Sequence, residues 1–221
     1  VLIPEEYGGA GLKLSAATAI LEEIHRSGCN AGACHAQMYT MGTVLRHGSR
    51  EQKEKWLPQI ASGKLRLQAF GVTEPTSGTD TTSIKTFARR DGDAYVVNGQ
   101  KVWTSGGHVA DMGMLIARTN PDVPKHQGIT WFAMSMHQGD SVEVRPLREM
   151  TGRALFNEVF MSDARVGDDA IIGGLHNGWA VANTTLMFER SSLGAGGHAA
   201  AALATPGTIA GHLPMRVGDF V

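Results

Sequence analysis

At Leu65 the spacing of apolar residues changes from a helical period to a period of two. That switch restricts the chain to a fold with helices first and a sheet after. On the helical side, Ser15 is a candidate N-cap, and Ala16, Ala19, Ile20 and Ile24 predict a helix from Ala16 to His25. Met38, Met41, Val44 and Leu45 predict a second helix across Ala31 to His47, closed by Gly48. Ser49 followed by Gln52 has the spacing of a capping box and opens a third, running toward Pro58 and closed by Gly63. On the other side, Leu65, Leu67 and Ala69 alternate with Arg66 and Gln68. Asp91-Gly92-Asp93, between Thr86–Arg90 and Ala94–Gly99, is a hairpin signal, and Asn98-Gly99 is read as a further turn. Met112–Arg118, Ile129–Met136, Val142–Pro146 and Phe156–Met161 are further strands, and Thr119–Gln127 is a polar loop. Many short strands with turns between them argue for a compact antiparallel β domain. Gly178 opens another helix with Trp179, Ala182, Leu186 and Leu193 on one face. The small residues from Ser191 to Ala204 allow close packing, and Pro206-Gly207 is an unusual break. The class is α+β, with a helical segment over 1–66, a β domain over 67–175 and the start of a helical domain over 176–221.

The 221 residues suffice for one to two domains, and a net charge of −1 argues against a nucleic-acid or membrane-surface partner. No apolar run approaches the roughly 20 residues of a membrane-spanning helix. Cys29 and Cys34 lie near His35, but no second ligand cluster accompanies them, so they read as packing residues and no metal site is expected.

The strand entering at Leu67 stops at Glu74-Pro75, since proline cannot extend a ladder. Six hydroxyl side chains and Gly78 follow between Thr76 and Ser83, a loop rich in donors. The order Gly-Val-Thr-Glu-x-x-Ser-Gly-Thr-Asp-x-x-Ser, Gly71 to Ser83, resembles the first signature of the acyl-CoA dehydrogenase family at nine of its thirteen positions. Lys101-Val102-Trp103-Thr104-Ser105 resembles the family's Trp-x-Thr/Ser element, and the likeness extends over nearly the whole chain.

The resemblance implies FAD as cofactor and oxidation of the Cα–Cβ bond of an acyl-CoA thioester. It implies that Phe70, Val72 and Thr73 meet the flavin ring, with Phe70 where many members carry tyrosine. Gly78 and Thr79 would lie near the diphosphate or the CoA arm, with Thr79 touching both cofactor and substrate. Trp103 would stack near the flavin, with Thr104 and Ser105 beside it and the Ser105 hydroxyl near N5. Asp80 would brace the loop by accepting backbone N–H bonds, because a free carboxylate repels phosphate. Arg190 resembles a substrate-positioning arginine, and Glu189 resembles the base that a minority of members carry on this helix. Most members place the base further toward the carboxyl end, so both assignments stand open. A Glu-Arg pair on a helix is also a common solvent-exposed feature.

The family's pattern also implies electron-transferring flavoprotein as electron acceptor and a homotetramer or related assembly. It implies a cytoplasmic or mitochondrial-matrix setting, and a parent chain longer than 221 residues at both ends. Two rivals remain: a silent or incomplete subunit of such an assembly, and an acyl-CoA oxidase or flavin monooxygenase relative. The acyl group itself is not legible.

Overall fold

The computed structural model describes residues 1–201, with side chains through Arg190. Helix α1 spans Leu14–Arg26, α2 Gly32–His47, α3 Arg50–Ala61 and α4 Gly178–Ala201. Between α3 and α4 lie β1 (Leu67–Gly71), β2 (Phe87–Asp91), β3 (Ala94–Ser105), β4 (Met112–Arg118), β5 (Ile129–Ser135), β6 (Val142–Leu147) and β7 (Phe156–Gly167). The Pro206-Gly207 break lies outside the described residues.

The cap of α1 is not Ser15. The helix begins at Leu14 behind Lys13, and no side chain caps it. The capping box of α3 is present: Gln52 N–H donates to Ser49 Oγ at 3.2 Å, and Ser49 N–H donates to Gln52 Oε1 at 2.8 Å. The Gln52 amide also donates to the carbonyls of Asp169 and Ile171, at 2.7 and 2.8 Å, pinning α3 to the segment after β7. Helix α2 is the central one. Its Thr43 hydroxyl meets Thr185 of α4 at 2.8 Å, and its Thr40 hydroxyl donates to the Leu67 carbonyl on β1. Gly42 lets α4 approach: a Cβ there would stand 3.1 Å from the Phe188 ring. Cys29 and Cys34 are both exposed and free, not packing residues as expected.

The sheet runs β1-β4-β2-β3-β7-β6, with β5 on the other edge of β4. Most pairs are antiparallel, but β1 and β2 both pair with β4 in parallel. Parallel neighbours are joined by crossovers, and β4 and β5 are buried on both faces. Met114, Ile116 and Trp131 pack toward Val44, Trp56, Leu57 and Val181. Leu115, Ala117 and Phe132 pack into the curl of the sheet with Tyr95, Val97, Val159 and Met161. The expected alternation in β1 fails for the same reason, and Gln68 is buried. The β2–β3 hairpin closes at Gly92 with φ +65°. Asn98-Gly99 is not a turn. β3 continues through it as a bulge against β7, where Asn98 and Asp163 exchange hydrogen bonds of 2.9 and 3.0 Å. Glycine is required at position 99, where φ is +153° and a Cβ would meet Thr86 Oγ1 at 2.4 Å.

Candidate active site

The chain leaving β1 passes through Val72, Thr73 and Glu74 into the hydroxyl-rich loop. Glu74 and Ser77 exchange backbone hydrogen bonds of 3.1 and 3.3 Å, closing a turn over Pro75. Ser77 is buried and donates to the Asp80 carbonyl. The Asp80 carboxylate accepts from Lys125, Ser83 and Thr82, and these bonds hold it well below the usual carboxylate range. Asp80 therefore braces the loop through side chains, not through the backbone N–H groups expected. Gly78 and Thr79 sit exposed at the crown. Gly78 has no positive φ and open space where a Cβ would stand, so nothing within the chain demands glycine there.

Opposite this turn, β3 carries its second bulge, between Lys101 and Thr104. Trp103 adopts φ +62° there, a conformation an indole rarely takes, and is 58% exposed. Its ring stands edge-on to Phe156 at 6.0 Å. The bulge turns Trp103 outward and Thr104 inward. Thr104 is buried, and its hydroxyl has no hydrogen-bond partner among the described residues. Its carbonyl accepts from Asn157 at 2.9 Å. The Thr104 side chain thus faces the core, while Trp103 is exposed and Ser105 half-buried on either side of it.

Ser105 is half-buried and lines a cleft of about 480 Å³. Gly106 and Phe156 extend that wall, Ala36 and Tyr39 of α2 form the facing one, and Glu189 of α4 completes the cleft. Tyr39 is buried between His35 and Phe70, with ring centroids 5.4 and 5.9 Å away. Burial and then the Glu189 carboxylate push its phenol pKa up. The structure therefore brings Glu189 to the same cleft as Ser105, 84 positions earlier in sequence. Arg190 points elsewhere: it is exposed and does not line this cleft. Tyr39 also lines a second, apolar cleft of about 450 Å³ with Met38, Met41, Leu45 and Phe188.

The residues missed by sequence reasoning are Tyr39, Gln68 and the pair Glu74–Lys101. Tyr39 lies off the helix face of Met38, Met41, Val44 and Leu45 read as apolar, and Gln68 lies on a face read as exposed. Lys101 and Glu74 form a buried ion pair of 2.9 Å with side chains 1% and 4% exposed. Burial pushes Glu74 up, but the Lys101 charge and the N–H groups of Lys85 and Thr86 outweigh it and hold the carboxyl below its ordinary value.

These groups fit a flat aromatic cofactor with polar edges. Trp103 offers an exposed ring. The half-buried hydroxyls of Thr73 and Ser105 make no hydrogen bond among the described residues, and each is free to pair with a buried ring edge. No group of three or more metal-ligating side chains occurs among the described residues.

Comparison with known proteins decides the family. Residues 1–64 match the acyl-CoA dehydrogenase N-terminal domain, and residues 69–164 match its middle domain. The chain belongs to the acyl-CoA dehydrogenase family. One similar relative is the acyl-CoA dehydrogenase IpdE1 of Mycobacterium tuberculosis, 39% identical over 194 residues, covering 86% of this chain and 50% of that protein. Among solved structures, the Tcur3481-Tcur3483 steroid ACAD superposes with a TM-score of 0.79 at 35% identity, covering 91% of this chain and 52% of that one. A chain in the structure of the electron transferring flavoprotein of Acidaminococcus fermentans superposes at 0.80 with 28% identity, covering 91% and 55%. This family member spans between about a fifth and about half of the length of the curated relatives it matches. Among its described residues no helix is long and apolar enough to cross a membrane.

Proposed function

We propose that this chain forms the flavin-facing half of an FAD-dependent acyl-CoA dehydrogenase that converts an acyl-CoA to the 2-enoyl-CoA. The observation that carries the reading is the shared cleft: Glu189 from α4 and Ser105 from the β3 bulge line one cavity, with Trp103 exposed beside it. Dehydrogenation needs a carboxylate to take the α-proton as the β-hydrogen leaves with its electron pair. Bound FAD supplies the acceptor for that hydride. Thr73 and Ser105 would donate to the polar edges of the ring, and Trp103 would cover it. Val72 and Phe70 would support it from beneath, and Gly78 and Thr79 would approach the phosphates. Glu189 would receive the α-proton, and the apolar side chains around Tyr39 would keep water from the carboxylate. Arg190, exposed one residue on, would meet the CoA portion outside the cleft.

Electron-transferring flavoprotein is the proposed acceptor of the electrons, and a dimer or tetramer the proposed assembly. Similarity to the steroid ACAD makes a steroidal CoA thioester the first bulky substrate to try beside straight-chain acyl-CoAs.

Anaerobic addition of acyl-CoA to the FAD-loaded chain tests the reading. Flavin absorption near 450 nm should bleach, and Glu189→Gln should slow the bleaching about 10²–10⁴-fold without preventing substrate binding. Bleaching that is indifferent to Glu189→Gln would move the base elsewhere. Absence of bleaching would favour a silent subunit, and hydrogen peroxide under air would favour an oxidase.

A further inference from the structure

Lys101 is the fully buried cation of the described residues and lies directly beneath both segments proposed to face the flavin. Its ammonium donates to the Val72 carbonyl at 3.0 Å and to Glu74 Oε1 at 2.9 Å. Glu74 in turn accepts from Lys85 N–H at 2.6 Å and Thr86 N–H at 2.9 Å. One residue on from Lys101, Val102 N–H donates to the Thr73 carbonyl at 2.9 Å. The end of β1 and the start of the β3 bulge are therefore joined at three successive carbonyl or carboxylate groups. Gly71 completes the arrangement: a Cβ there would press on the Lys101 stem at 3.3 Å. A buried ion pair is seldom a net gain in stability over apolar residues of similar size, so its presence here calls for another account.

We propose that Lys101, held by Glu74, is a positioning residue for flavin binding: it fixes the Val72–Thr73 backbone against the Trp103–Ser105 bulge, so that the Thr73 and Ser105 hydroxyls point to one bound ring. This rests on the proposed binding of flavin at these two segments. It adds that the pair acts on cofactor geometry and not only on folding. Removing Lys101 alone strands a buried carboxylate. Removing both charges, with Gln at 74 still accepting a backbone N–H, relieves that penalty but leaves the Val72 carbonyl without its donor.

The discriminating experiment compares the unmodified chain, Lys101→Met and Lys101→Met/Glu74→Gln by thermal melting and by FAD titration, followed through protein and flavin fluorescence. Lys101→Met should melt lower and bind FAD weakly. The double variant should recover most of the melting temperature while its FAD dissociation constant stays about tenfold or more above that of the unmodified chain. Joint recovery of melting and affinity would overturn the proposal, leaving the pair a folding element. A second measurement needs no variant: amide hydrogen exchange of the unmodified chain with and without FAD. Segments 71–74 and 101–105 should gain protection together, and protection of one alone would overturn the coupling. Failure of the unmodified chain to bind FAD would overturn the underlying reading, and the positioning role with it.

Discussion

At the scale of single residues, the approach to the site is held by charged groups that sequence patterning treats as surface. Asp111 shows this at the start of β1. Its carboxylate accepts from the N–H, Nε and guanidinium of Arg66 at 2.8–3.0 Å, and these bonds pull its pKa down to about 2. A carboxyl depressed in the folded state adds stability above its unfolded pKa, near 4, and loses it as pH falls toward 2. The pair is partly exposed, so solvent screening limits its worth to about 1 kcal/mol. Asp111→Asn should therefore lower stability by about that much at pH 7 and by almost nothing at pH 2. Urea unfolding at the two pH values checks this, and an equal loss at both would assign the effect to packing. Thr104 carries the contrasting lesson. Its position in the Lys101–Ser105 motif was legible, but its inward direction depends on the φ of +62° at Trp103, which no residue pattern encodes.

At the scale of elements, signals that a segment contains within itself were legible, and those that depend on a neighbour were not. The capping box of α3 needs only Ser49 and Gln52, and both hydrogen bonds form. The Asp91–Asp93 turn likewise depends on its own glycine. Asn98-Gly99 has the residues of a turn, yet β7 pairs along β3 on both sides of it and absorbs the extra length as a bulge. Gln68 and the parallel pairing of β1 depend on β4, forty-odd residues further on, so local alternation could not disclose them. Two substitutions separate these cases. Ser49→Ala should cost about 1 kcal/mol, the usual value for a lost N-cap. Gln52→Ala should cost more, about 2–3 kcal/mol, because it also leaves the Asp169 and Ile171 carbonyls without their donor. Equal losses in denaturant melts would show that the tie from α3 to the segment after β7 contributes nothing.

At the scale of the whole molecule, the distance between the candidate base Glu189 and the candidate flavin contact Ser105 depends on how closely α4 lies on α2. Three contacts set that distance: the Thr43–Thr185 hydroxyl pair at 2.8 Å, His47 Nε2 with Thr184 Oγ1 at 2.8 Å, and the Phe188 ring over Gly42. Phe188 precedes Glu189 directly, so any displacement of the ring carries the carboxylate with it. Gly42→Val places branched bulk where even a single Cβ would already stand 3.1 Å from that ring. Overpacking of this kind forces side chains off their rotamers and shifts backbone, at a cost of about 1–3 kcal/mol. The β wall carrying Trp103 and Ser105 belongs to the sheet and does not touch Gly42, so the two halves of the site should separate in their response. FAD affinity in Gly42→Val should stay within about twofold of the unmodified chain, while substrate-dependent bleaching slows at least tenfold, since misplacement by 1 Å can cost about 10² in rate. Loss of FAD affinity together with the bleaching would mean that the seam between α2 and α4 supports the sheet as well, and that the site moves as one body.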